Sequence, residues 1–195
     1  MKKRLLIFDA DGTLCERCNE KSVQLLSGVL QWRSDNPDQL VAIATNQGGP
    51  ACHDAGWKTS PHYPTLNSVM WYYGSLSYKM QSRLYICYLY IGKDGECYLP
   101  HSFTINDDGC NTEDRKPRPG MLIKAMYDAR SSPDETLMVG DRPEDEQAAM
   151  AAGCDFEDAD AFFKGYRPSR SDQRNSRADT FREWYRFSIP KEGEK

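Results

Sequence analysis

Four short apolar runs constrain what this chain can fold into. Leu5-Leu6-Ile7-Phe8 stops at Asp9-Ala10-Asp11-Gly12-Thr13, and Leu40-Val41-Ala42-Ile43-Ala44 stops at Thr45-Asn46-Gln47-Gly48-Gly49. Leu84 to Ile91 is aromatic and β-branched, and Thr136-Leu137-Met138-Val139 stops at Gly140-Asp141. Runs this short, with few polar breaks, suit strands covered on both faces, as in a parallel sheet. Asp155-Phe156 reads as the start of a short fifth strand, with Phe162-Phe163 packing nearby.

Helical patterns separate the strands. Residues 19 to 33 place Val23, Leu26, Leu30 and Trp32 near one side, with Asn19 as N-cap. A second helix is predicted over about 64 to 79, carrying Leu66, Val69, Met70, Tyr73 and Leu76. Pro119-Gly120-Met121 opens a third, running to about Ala129, and Glu144 to Ala152 reads as a fourth. Residues 50 to 63 and 92 to 115 read as loops, the second long enough to suggest function. The alternation predicts an α/β fold, a Rossmann-like parallel sheet with helices on both faces. Ligands of such sheets bind beyond the carboxyl ends of the strands. Asp9, Thr45 and Asp141 are three of those ends, so they are expected to converge.

The 195 residues suit one domain with an extension: a domain over 1–166 and a polar, arginine-rich segment over 167–195. That segment holds Arg170, Arg174, Arg177, Arg182 and Arg186, and an aromatic group at Phe181, Trp184, Tyr185 and Phe187. It reads either as an extension docking its aromatics on the domain or as a basic arm for an anionic partner. The formal net charge of −4 gives no support to general nucleic-acid or membrane affinity. No apolar run approaches the roughly 20 residues of a membrane span, and the run after Met1-Lys2-Lys3-Arg4 is too short for a signal peptide. A cytoplasmic location is the resulting expectation. Seven cysteines, an odd number at irregular spacing, do not look like a disulfide framework.

Two carboxylates at the mouth of a buried strand are costly unless something compensates their charge. A bound cation would do so, and a carboxylate beside a cation can attack phosphorus. Asp9 is the candidate nucleophile. Asp11 projects to the same side if the strand continues, and can protonate a leaving group and later deprotonate water. Mg²⁺, which prefers a few oxygen ligands plus waters, would sit among Asp9, Asp11 and Asp141, with Asp145 one helical turn later supporting it. Thr45 and Asn46 offer donors to phosphate oxygens. Arg115 and Lys116 precede a helix start, where cations oppose the helix dipole and a phosphate would justify them. Lys116 is the candidate transition-state cation.

These stations resemble the four motifs of the haloacid dehalogenase superfamily in its phosphatase branch. Phe8-Asp9-Ala-Asp11-Gly12-Thr13-Leu14 is similar to motif one, and Ile43-Ala44-Thr45-Asn46 to motif two. Lys116 matches motif three, and Gly140-Asp141-Arg142-Pro143-Glu144-Asp145 motif four. The resemblance covers about residues 4 to 163. It implies Mg²⁺-dependent hydrolysis through an aspartyl-phosphate, and Asp11 favours phosphatases over dehalogenases. Thr45-Asn46-Gln47-Gly48 and Arg115-Lys116-Pro117-Arg118-Pro119-Gly120-Met121 narrow the likeness to subfamily IIIA. That group contains heptose-bisphosphate and histidinol-phosphate phosphatases and polynucleotide 3'-phosphatase domains. By the same resemblance, Arg115 helps orient substrate phosphate and Gln47 shapes the rim.

Some bacterial members carry a zinc loop before the Arg-Lys-Pro segment. Here Cys97, His101 and Cys110 supply three ligands where tetrahedral zinc wants four, so structural Zn²⁺ is not expected. Cys15 and Cys18, with Cys52 and His53, are a second group, read as free thiols. One helix separates Asp11 from Thr45, so the cleft is expected to be capless or covered by short loops. His53, Trp57, His62 and Tyr63 are candidate contacts for the leaving group. The expected substrate is a phosphorylated small metabolite, a sugar phosphate or bisphosphate. The alternative is a polynucleotide 3'-end, which the arginine-rich segment fits and the net charge opposes; no Gly-x-x-x-x-Gly-Lys-Ser/Thr kinase pattern is present. A non-catalytic phosphate-binding protein of the same fold would need neither Asp11 nor Lys116, and the chain has both.

Overall fold

The computed structural model describes residues 2–18, 22–57, 63–104 and 107–167. Five parallel strands form its main sheet: β1 (Leu5–Phe8), β2 (Leu40–Asn46), β3 (Arg83–Cys87), β6 (Thr136–Gly140) and β7 (Asp155–Asp158), in the order β3-β2-β1-β6-β7. β1 is central, pairing Leu5 with Leu40 on one side and with Thr136 on the other. Side chains alternate across it, as the two-residue period of a strand demands. Leu6 and Phe8 enter one core, with Val41 and Ile43 of β2 and Val139 of β6. Leu5 and Ile7 enter the other, with Ala42, Ala44 and Met138.

Helices cover both faces. The first core is closed by α1 (Val29–Asp35), α3 (Leu66–Met80) and α6 (Ala159–Phe162). Its centre is aromatic: the ring of Phe8 lies 5.1 Å from that of Trp32 and 5.3 Å from that of Phe162. The second is closed by α4 (Gly120–Ala129) and α5 (Pro143–Ala152). The Thr65 hydroxyl caps α3 by accepting from the Ser68 N–H at 3.1 Å. Gly153, at φ 74°, ends α5 in the left-handed conformation glycine favours.

The structure corrects three expectations. The helix predicted over 19 to 33 begins at Val29; residues 22 to 28 are irregular, Leu25 forms a bridge with Cys15, and Asn19 lies outside the described residues. Val23, Leu25 and Leu26 still pack on the first core, so the apolar spacing reflected burial without helix. Gly28 also breaks any right-handed helix that would run back from Val29. That residue sits at φ 79°, and a Cβ there would lie 2.4 Å from the Tyr166 carbonyl oxygen.

The strand predicted from Leu84 to Ile91 is two elements. β3 leaves the main sheet at Cys87, where the Tyr88 N–H turns to the Gly109 carbonyl at 2.8 Å. β4 (Tyr90–Ile91) then pairs antiparallel with β5 (Cys97–Tyr98), inside the segment read as a loop. The 50 to 63 loop contains a short helix, α2 (Gly49–Asp54), with Pro50 in its first turn, where a missing N–H costs nothing. Among the described residues no helix is long and apolar enough to cross a membrane.

Candidate active site

Because β2, β1 and β6 are adjacent and parallel, their carboxyl ends deliver Thr45, Asp9 and Asp141 to one edge of the sheet. Asp9 continues β1 and donates its N–H to the Val139 carbonyl at 2.9 Å. Gly12, at φ 83°, bends the chain away after Asp11. A cavity of about 780 Å³ opens above these ends. Its lining includes Asp9, Asp11, Thr45, Lys116 and three arginines, Arg17, Arg115 and Arg142.

Lys116 is 3% exposed, and each of its three ammonium protons has an acceptor. Nζ lies 2.6 Å from Asp9 Oδ1, 2.7 Å from Asp145 Oδ1 and 2.7 Å from the Ala44 carbonyl. Asn46 holds the backbone of the same residue from both sides. Its Oδ1 accepts the Lys116 N–H at 3.1 Å, and its Nδ2 donates to the Lys116 carbonyl at 2.9 Å. Asn46, predicted to grip phosphate, therefore braces the lysine. Arg115 donates Nη1 to the Leu89 carbonyl at 2.6 Å.

Asp9, Asp141 and Asp145 bring ligand atoms within 4.8 Å of one another. Hard carboxylate oxygens of this kind suit Mg²⁺. Asp145 already uses both of its oxygens: Oδ1 on Lys116, and Oδ2 accepting from the N–H groups of Asp141 and Arg142 at 3.2 Å each. It thus acts chiefly as the post that fixes Lys116 and the turn after β6. The Asp11 carboxylate, expected among the ligands, is not one of this converging set. Its Oδ1 accepts from the Tyr73 hydroxyl at 2.6 Å, and its Oδ2 from Gln47 Nε2 at 3.1 Å. Gln47 also donates to Thr45 Oγ1 at 2.9 Å, so it lies inside the site instead of on its rim.

The electrostatics follow from burial. Removal from water raises the Asp9 carboxyl to about 7; Lys116 pulls it down, while Asp145 and Asp11 push it further up. Burial opposes the Lys116 ammonium, but Asp9 and Asp145 outweigh it and its pKa rises. Burial also raises Asp11, against the hydrogen bonds from Tyr73 and Gln47. A divalent cation beside Asp9 would lower the charge cost that burial imposes on its carboxylate.

Other predicted contacts disperse. Tyr63 lines the cavity, whereas Trp57 packs edge-on against Tyr90 at 5.1 Å and Tyr98 at 5.0 Å. His53 pairs with Asp54 at 3.1 Å, and His62 lies outside the described residues. Cys97 is exposed and Cys110 buried, and among the described residues neither they and His101 nor the Cys15 group form a second ligand cluster. Cys15 and Cys18 point their thiols at the Ala10 and Ser68 carbonyls. Arg167, placed by sequence in the extension, is buried: it donates to the Thr13 carbonyl at 2.9 Å and lies over Phe163 at 4.7 Å. The remainder of 167–195 lies outside the described residues.

Sequence reasoning missed Tyr73. Its helical position gave only an apolar signal, and no local pattern reports a partner 62 residues away. The roles of Arg17 and Arg142 were also missed; each lines the cavity and acts electrostatically on Asp11.

Comparison with known proteins agrees with this geometry. Residues 114–156, which carry Lys116, Asp141 and Asp145, match the HAD-hydrolase-like family. The D-glycero-beta-D-manno-heptose-1,7-bisphosphate 7-phosphatase of Pasteurella multocida is 40% identical over 60 residues, 30% of this chain and 33% of that protein's length. The D-glycero-D-manno-heptose-1,7-bisphosphate 7-phosphatase of Thermosynechococcus vestitus is 26% identical over 161 residues, 79% of this chain and 77% of its own. The D,D-heptose 1,7-bisphosphate phosphatase of B. bronchiseptica, solved with magnesium and phosphate, superposes with a TM-score of 0.54 at 25% identity. That match covers 80% of this chain and 79% of the other. Together with the sheet order, the strand-end carboxylates and the tethered lysine, these likenesses support a phosphatase of the haloacid dehalogenase superfamily that resembles the heptose-bisphosphate phosphatases.

Proposed function

We propose that the chain is a Mg²⁺-dependent phosphomonoesterase that works through an aspartyl-phosphate on Asp9. The observation that carries this reading is the division of the two carboxylates. Lys116 grips Asp9, while Tyr73 and Gln47 hold Asp11 separately. One is dressed as a nucleophile beside a cation, and the other as a positioned acid and base.

In the first step an Asp9 oxygen bonds to phosphorus, the bond from phosphorus to the leaving oxygen breaks, and Asp11 gives that oxygen its proton. In the second, Asp11 takes a proton from water, the water oxygen bonds to phosphorus, and the bond to Asp9 breaks to release phosphate. Lys116 balances charge on the equatorial oxygens, and Thr45 and Arg115 are placed to contact them. Asp9 and Asp141, with Asp145 behind them, would hold Mg²⁺, whose charge offsets the repulsion between carboxylates and phosphate.

The substrate we infer is a small phosphorylated metabolite of the sugar-bisphosphate class. The relatives named above act on heptose bisphosphates, and a cavity of about 780 Å³ lined by Arg17, Arg115 and Arg142 suits a compact, multiply charged molecule. The nucleic-acid-end alternative rests on a cleft covered only by loops, on the absence of a zinc-ligand pair before Arg115, and on the arginine-rich segment, most of which is outside the described residues. Hydrolysis of an aryl phosphate with and without Mg²⁺, beside Asp9→Asn, tests the mechanism. Undiminished turnover by that variant would refute it. A panel of sugar bisphosphates set against 3'-phosphorylated oligonucleotides tests the substrate class.

A further inference from the structure

We propose that Tyr73 is a positioning residue for the leaving-group proton, acting through Asp11, and that it fits the enzyme to alkyl phosphates, whose departing oxygen needs that proton. The inference rests on the phosphatase reading above and adds the chemistry of the leaving group. Four observations support it.

Tyr73 is fully buried in α3, and its hydroxyl donates to Asp11 Oδ1 at 2.6 Å. Burial holds the phenol in its protonated form, so it is a donor. The second oxygen of Asp11 is fixed by Gln47, which is itself fixed on Thr45. The carboxyl plane is therefore set from both sides, while each oxygen keeps a further lone pair for the travelling proton. A carboxylate free to rotate would meet the leaving oxygen in a correct geometry for only part of the time.

The neighbouring Tyr72 supplies a natural comparison. It too is fully buried, and its hydroxyl donates to the Glu16 carbonyl at 2.7 Å, a backbone partner. The rings of Tyr72 and Tyr73 are 5.2 Å apart. Removal of the Tyr72 hydroxyl takes two hydrogen bonds, one donated to the Glu16 carbonyl and one accepted from the Gln24 N–H, and removal of the Tyr73 hydroxyl takes the one donated to Asp11, so only Tyr73 touches the carboxylate of the site.

The experiment compares kcat/KM for p-nitrophenyl phosphate and for a sugar phosphate in the wild type, Tyr73→Phe, Tyr72→Phe and Asp11→Asn. This ratio reports the steps through loss of the leaving group. p-Nitrophenolate departs without a proton, whereas an alkoxide does not. Tyr73→Phe should lower the sugar-phosphate value about tenfold or more and the aryl value less than about threefold, whereas Tyr72→Phe should move both alike. In the Asp11→Asn background, Tyr73→Phe should add nothing. Equal losses on both substrates, no loss on either, or an additive loss in the double variant would overturn the proposal. Failure of the underlying reading looks different: the wild type would be inactive on both substrates, or Asp9→Asn would remain active. Thermal unfolding of each variant confirms that the compared proteins are folded.

Discussion

Adding one methyl group at Gly140 should disable the site without touching any reacting atom. Gly140 ends β6 immediately before Asp141. A Cβ built there meets Asp145 Oδ2 at 2.3 Å and Asp145 Cβ and Cγ at 2.5 Å each. Ordinary contact for a Cβ begins near 3.4 Å, so Asp145 must retreat by roughly 1 Å, and its position is over-determined. Retreat pulls Oδ1 from Lys116 and Oδ2 from two backbone N–H groups. Overpacking costs about 1–3 kcal/mol and weakened hydrogen bonds to a charged group about 1.5–3, so Gly140→Ala should lose about 3–5 kcal/mol. For a domain of this size that is a fall of roughly 6–20 °C in melting temperature. Lys116 loses one of three anchors, and a displacement on the order of 1 Å there should lower kcat/KM about a hundredfold. The control is Gly74→Ala in α3, where a Cβ would meet nothing within 4 Å. Helix propensity predicts a gain of up to about 1 kcal/mol and unchanged activity. The assays are calorimetry and aryl phosphate hydrolysis. If Gly140→Ala melts within about 2 °C of the wild type and keeps full activity, Asp145 is not the post described above.

Three further outcomes are expected. Saturating Mg²⁺ should raise the melting temperature over that in EDTA; at 100-fold the dissociation constant the linkage is about 2.7 kcal/mol, and identical melting curves would argue against a site at Asp9 and Asp141. Arg167→Met should cost about 1–3 kcal/mol in urea unfolding, because the Thr13 carbonyl loses its buried donor; a loss below about 0.5 would show that water replaces it. Asp54 is held below the usual carboxylate range, first by the His101 backbone N–H and then by His53. Its depressed pKa means that its contribution is complete above its unfolded value near 3.9 and is lost as pH falls through the folded one. Asp54→Ala should therefore speed amide exchange around His101 at pH 7, and by less once pH falls through the folded-state value; an effect independent of pH would refute the assignment.

The strand ends were legible in sequence because three features coincide there: an unbroken apolar run, an abrupt polar residue (a carboxylate at Asp9 and Asp141, a hydroxyl at Thr45), and a nearby glycine that lets the chain turn. Asp9, Thr45 and Asp141 meet as the parallel sheet requires. What was not legible depends on partners distant in the chain. Tyr73 sits on a helix face whose spacing is satisfied equally by packing or by a hydrogen bond. Asn46 looks like a phosphate donor until the Lys116 backbone arrives beside it, 70 residues later. The segment before α1 shows the same limit from the other side. Val23 and Leu26 are spaced for a helix, yet a bridge to Cys15 and the close approach of Tyr166 to Gly28 hold the backbone elsewhere. Apolar periodicity reports which side chains are covered, and tertiary contacts decide the conformation that covers them.

The separation of the site along the chain also bears on how the molecule folds. Asp9 and its counter-charge on Lys116 are 107 residues apart, and β1 acquires its second neighbour only with Thr136. No contiguous fragment shorter than the span from β1 through β6 contains both charges with the strands on either side of β1. Until the chain beyond β6 is in place, Lys116 lacks its anchor on Asp145, and the ordering entropy of long loops must be met before these contacts return anything. Catalytic competence should then appear in one step with completion of the sheet. Recovered turnover during refolding becomes a direct clock for the arrival of β6 and the turn that follows it.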